Sequence, residues 1–148
     1  MILIGSKATN TIERNIMAAS QYDFSIDQGS SFKLSLVYND TDGNPMNLSG
    51  YCSRLNWLTD DSTTQSFLTT NTDFSQYSFT ITAPSGNIVL QIPASITNTY
   101  SFSTAKYDLE IESPTNIYAS GGHQVTRLLY GDITIIKRFS ESSSLLDC

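Results

Sequence analysis

The chain predicts an all-β protein: an antiparallel β-sandwich of the immunoglobulin-like kind, with about seven strands and an amino-terminal arm. Three observations carry that expectation. Apolar residues recur at every second position in run after run, the period of a strand with one buried face. Clusters of Gly, Pro, Asn, Asp and Ser separate these runs roughly every 8 to 15 residues. The polar positions are filled by Ser, Thr and Asn, with charged residues at 15% of the chain, well under the roughly 25% of ordinary globular domains. A pleated surface takes Thr well, whereas a surface helix needs Glu, Lys, Gln and Arg.

At 148 residues the chain reads as one domain with its flanks: an arm over residues 1–21, a sandwich over 22–139 and a tail over 140–148. A domain of this size buries roughly 70% of its unfolded surface, so it needs neither disulfide nor metal for stability. In the arm, Ile2, Leu3 and Ile4 are apolar, and Thr11 to Ala19 predicts a short helix with Ile12 and Ile16 on one face, four residues apart. A lone helix of that length is marginal in water and needs a surface to lie on. Its own domain and a neighbouring subunit are the two surfaces open to it.

Alternation begins with Tyr22, Phe24 and Ile26 and, after a turn at Gln28-Gly29-Ser30, resumes with Phe32, Leu34 and Leu36. Asn39 to Pro45 is rich in turn formers. Its Asp40, Asp42 and Gly43 do not fit a calcium loop, which wants Gly sixth and Glu twelfth. Tyr51, Leu55 and Trp57 share the next apolar face, and Trp57 is expected in the core. Asp60 to Thr72 is polar and aperiodic and reads as a loop or an edge. Tyr77, Phe79 and Ile81 alternate, then Ile88, Leu90 and Ile92, with Pro84-Ser85-Gly86 turning between them. A helical turn from Pro93, with Ile96 and Tyr100 four apart, is expected to cross from one sheet to the other.

The chain is organised around its last two runs. Tyr107, Leu109 and Ile111 alternate with Asp108, Glu110 and Glu112, and the β-branched run Val125 to Ile136 has the composition of a strand covered on both faces. Together they read as a long antiparallel hairpin at the middle of a sheet. Gly131, inside the second run, marks a bulge or a close backbone approach. In the tail, Leu145 and Leu146 are the apolar anchors.

Composition and spacing exclude several functions. The net charge of −6 and scattered cations argue against nucleic acid, which needs clustered Lys and Arg. No apolar run reaches the length of a membrane span, and residues 1–20 lack the apolar core of a signal peptide. Cys52 and Cys148 make neither a disulfide framework nor a metal site and read as free thiols. His123, the only histidine, sits in a Gly-rich stretch without a nucleophile elbow, and no cluster has zinc spacing. The Asp108, Glu110 and Glu112 row reads as a solvated acidic face met by Lys106 or Arg127 across the hairpin. No enzyme activity, cofactor or metal is expected.

Taken in order, the motifs form a recognisable series: Ile26-Asp27-Gln28-Gly29 with Phe32; Asp42-Gly43-Asn44-Pro45; Asn47-Leu48-Ser49-Gly50-Tyr51; an Arg54-bearing strand; Gly86 to Ile92 leading to Thr97; Tyr107 to Ile111; and Arg127 to Ile135. This series resembles a family of small β-sandwich domains in virion proteins of tailed bacteriophages, which includes the amino-terminal domains of baseplate upper proteins and related tail and neck components. The resemblance covers roughly Tyr22 to Phe139; the arm and the tail have no counterpart in it. It implies a non-enzymatic structural protein of the virion, assembled in the host cytoplasm, a homo-oligomer docked on other virion proteins in the tail, baseplate or neck. Capsid decoration and host-surface glycan binding are the alternatives. The expected assembly residues are the apolar positions of the two termini: Ile2, Leu3, Ile4, Ile12, Ile16, Leu145 and Leu146.

Overall fold

The computed structural model of the chain describes residues 3–5, 9–15, 19–116 and 122–139; at 3–5, 9–11, 13–15 and 115–116 it describes the backbone alone. Among these residues lie eleven strands: β1 (Leu3–Gly5), β2 (Thr9–Asn15), β3 (Ser20–Gln21), β4 (Phe24–Asp27), β5 (Phe32–Asn39), β6 (Cys52–Thr59), β7 (Thr64–Leu68), β8 (Ser78–Thr82), β9 (Asn87–Ile92), β10 (Thr104–Asn116) and β11 (His123–Ile136). One helical turn, α1 (Ala94–Thr97), carries the chain between β9 and β10.

The strands form two sheets. Sheet A has the order β1-β2-β5-β9-β8, and sheet B the order β3-β11-β10-β6-β7 with β4 also on β11. The core order, β5-β9-β8 over β4-β11-β10-β6-β7, is the immunoglobulin-type arrangement with one strand, β7, added beyond β6. The expected all-β sandwich and the crossing helical turn are therefore present. Inward residues of both sheets make one core. Phe24 of sheet B stacks on Phe32 of sheet A at 5.2 Å between ring centres and meets Tyr107 edge-on at 4.9 Å. At the other end, Trp57 is packed by Phe67, Tyr100 and Phe102.

Four strands stand beyond the seven expected, β1, β2, β3 and β7; Thr9–Asn15 contradicts the expected helix, and the run after Asp60, read as a loop or an edge, is an edge strand. Strand β2 pairs in parallel with β5 over seven positions, from Thr9 opposite Lys33 to Asn15 opposite Asn39. A ladder of that length satisfies the backbone groups that a short solvated helix would hold only marginally. Ile12, opposite Leu36, is wholly buried in the core of its own chain. The polar run after Asp60 contains β7, which pairs with β6 and buries Phe67 completely. A single large aromatic on an edge strand is enough to fix it.

The hairpin of β10 and β11 is longer than expected, reaching Asn116 and His123. Its register shifts twice, at Leu109/Glu110, where Leu128 is the extra residue, and between Glu112 and Asn116, and neither irregularity is at Gly131. Gly131 marks a close approach instead. A Cβ there would run into the Tyr22 carbonyl oxygen and stand 2.6 Å from Oδ1 of Asp23. This lets the β3–β4 segment lie against β11, with the Tyr22 N–H on the Tyr130 carbonyl at 2.8 Å.

Candidate docking surfaces

The longest hairpin presents its second face to solvent. Register fixes a grid across the outside of sheet B: Cys52–Glu112–Val125, then Leu68–Arg54–Glu110–Arg127, then Ser66–Asn56–Asp108–Tyr130, then Thr64–Leu58–Lys106–Asp132. Of the seven large apolar side chains that the described residues leave exposed, five stand on this face: Leu58, Leu68, Val125, Tyr130 and Ile136. None stands on the outside of sheet A. The expectation that β11 is covered on both faces is corrected here: within one chain only its inner face, with Leu129, Ile133 and Ile135, is covered. Val125 and Ile136 are 52% and 46% exposed.

Charges fill the middle of the grid. Arg54 binds Glu110 at 2.5 Å, and that bond raises the Arg54 pKa above its ordinary value. Lys106 binds Asp132 at 3.0 Å, and the Arg127 guanidinium lies over the Tyr130 ring at 4.8 Å. The cation that meets the acidic row is therefore Arg54 of β6, not the expected Lys106 or Arg127: Lys106 is held by Asp132, and Arg127 lies over Tyr130. Within that row Asp108 stands apart. One of its carboxylate oxygens is shielded from solvent and has no hydrogen-bond partner among the described residues. It lies between two shallow hollows, one beside Asn56 and Ser66, the other beside Arg127 and Tyr130.

A further hollow of about 270 Å³ opens where Cys52, Leu68, Glu112, His123 and Val125 meet. His123 begins β11; its Nδ1 lies 2.6 Å from the Ser113 carbonyl oxygen and 3.6 Å from Glu112. That geometry leaves Nδ1 carrying the proton and ties the ring to the end of β10. Among the described residues no group of three or more His, Cys, Asp and Glu is placed to hold a metal ion, and no helix is long and apolar enough to cross a membrane.

Of the expected assembly residues, Ile12 lies in the core, and Leu3 and Ile4 lie in β1 with Leu3 opposite Ile12. Ile2, Ile16, Leu145 and Leu146 lie outside the described residues, as does Cys148. Trp57 is 4% exposed, so it cannot serve as a sugar-stacking platform. The outer face of sheet B was missed from the sequence. Its signal was present in the outward positions of β11, where Val125, Tyr130 and Ile136 interrupt the charges.

No protein-family model and no curated protein matches the chain. Among solved structures, the fold is similar to the N-terminal domain of phage TP901-1 ORF48, with a TM-score of 0.49 and 10% sequence identity over 86% of this chain and 98% of that one.

Proposed function

We propose that this chain is a non-enzymatic structural protein of a tailed-phage virion, working by self-association and by docking on other virion proteins of the tail, baseplate or neck. The observation that carries a docking role is the outer face of sheet B. Exposed apolar side chains gathered on one sheet face, with charges between them, have the composition of an interaction surface rather than of a solvated sheet. The ordered motif series from Ile26 to Ile135 supports the phage assignment. On this reading Val125, Tyr130 and Ile136 meet the neighbouring protein, and a donor from that neighbour satisfies the unpaired oxygen of Asp108. The arm and the tail add contacts through Ile2, Leu3, Ile4, Ile12, Ile16, Leu145 and Leu146. Ile12 does so by exchange of β2 between copies, which preserves its burial.

The test is incorporation. Purified chain mixed with virion parts is followed by native mass measurement and imaging, and a ring or regular array is expected. The double variant Val125→Lys/Ile136→Lys, which sets each ammonium opposite a carboxylate (Glu112 and Asp27), should melt like the wild type and fail to attach. Attachment at wild-type level by that variant removes the docking role from this face, and absence of the chain from purified particles removes the virion assignment.

A further inference from the structure

The two sheets end in four edges, and these are not equally protected. An edge strand offers a row of unpaired N–H and C=O groups, which proteins normally blunt with charges, proline or covering segments. On sheet B, the β4 edge is flanked by Asp23 and Asp27, and the β7 edge is partly closed by the Tyr77 hydroxyl, which accepts from Leu68 N at 3.1 Å. On sheet A, one edge is β1, paired to β2 and only three residues long, and a short edge offers little to a partner. The remaining edge, β8, has none of these devices. Ser78-Phe79-Thr80-Ile81-Thr82 holds no charge and no proline, and it has a ladder on one side only, to β9. Just past the strand, the Ser85 hydroxyl donates locally to the Thr82 carbonyl at 3.3 Å.

We propose that β8 pairs antiparallel with β8 of a second copy about a two-fold axis at Thr80, joining the two five-stranded sheets into one. The residues favour a second copy over an unrelated strand. Antiparallel self-pairing brings residues of like sign close together, so a charged edge repels its own copy, and this edge has no charge to repel. Centred on Thr80, the pairing sets Phe79 opposite Ile81 of the second copy and Ser78 opposite its Thr82. These are an aromatic against a β-branched side chain and a hydroxyl against a hydroxyl, combinations that stabilise antiparallel pairs. Ile81 is half-buried at the rim of the core in one chain, and the second copy covers it. Backbone hydrogen bonds along the strand supply the rest, as in other cases of strand addition. The two-fold contact closes on itself and leaves the outer face of sheet B free.

This inference names the contact behind the self-association proposed above and rests on it; the experiment separates the two, because it uses the purified full chain with no virion part present. Sedimentation across a concentration series is expected to show a monomer–dimer equilibrium. Thr80→Lys places two ammonium groups together at the axis, and the dimer dissociation constant should rise by about tenfold or more, with the melting temperature unchanged at concentrations where the wild type is also monomeric. Thr80→Cys, made with Cys52→Ser and Cys148→Ser, should give a covalent dimer on mild oxidation, since directly opposed residues bring their Cβ atoms within bonding reach. A chain monomeric at every concentration overturns the inference. So does a dimer that withstands Thr80→Lys and yields no cross-link. A dimer lost in Ile2→Asp/Ile4→Asp but indifferent to Thr80→Lys places the contact at the arm, overturning this inference while leaving self-association standing.

Discussion

The hydroxyl of Tyr107 donates to the Tyr22 carbonyl at 2.6 Å in the interior, whereas that of Tyr100 is buried with no partner among the described residues. Removing the two oxygens should therefore have unequal effects. Tyr107→Phe removes a buried hydrogen bond and should cost about 0.5–1.5 kcal/mol, while Tyr100→Phe removes a desolvated hydroxyl at little or no cost. Urea unfolding of the two variants measures the difference, and equal losses would count against the assigned contacts. Burial also raises the pKa of both phenols, and of Tyr22, above the ordinary tyrosine value. A folded pKa above the unfolded one gives stability that is complete below the unfolded value, about 10, and is lost as the pH rises beyond it. Unfolding free energy should thus decline at alkaline pH above about 10, with a shallower decline in Tyr107→Phe; a flat profile there would contradict the burial of these rings.

At the scale of elements, most of the sandwich was legible because its strands obey period two over several residues. Tyr22 to Ile26, Phe32 to Leu36, Tyr77 to Ile81 and Ile88 to Ile92 each put two or three apolar residues on the inner face. Four strands stand beyond the seven expected, β1, β2, β3 and β7, the last in a stretch read as a loop or an edge; β2 and β7 each commit one large apolar residue to the core, Ile12 and Phe67. One residue sets no period, and Ile12 with Ile16 mimics helical spacing. Both assignments can be checked by truncation. Ile12→Ala should cost about 2–5 kcal/mol if β2 lies on β5, and nothing measurable if the arm is a solvated helix. Phe67 lies 4.7 Å from Trp57 and 4.9 Å from Tyr77 between ring centres. Phe67→Ala should cost about 3–5 kcal/mol, and a loss under 1 kcal/mol in chemical denaturation would place residues 64–68 outside the core. The docking face was illegible for a different reason. Its apolar members come from β6, β7 and β11, far apart in sequence, and only the pairing register brings them to one side.

For the whole molecule, the outer face of sheet B and the free edge of sheet A point in different directions and share no residue, so their contributions should separate. Val125→Lys/Ile136→Lys acts on attachment and leaves the β8 pairing intact; Thr80→Lys does the reverse. Their effects on particle binding are still coupled, through valency rather than contact. A dimer joined at β8 carries two copies of the sheet B face, and once one copy is bound the second binds from a high local concentration. Breaking the dimer should therefore weaken apparent affinity for the particle by about a hundredfold, although no residue of the attachment face has changed. A titration of labelled chain against particles, run for wild type and for Thr80→Lys, reads this directly. Wild-type affinity in a monomeric Thr80→Lys chain would mean that each copy binds alone, so that self-association and attachment serve separate ends.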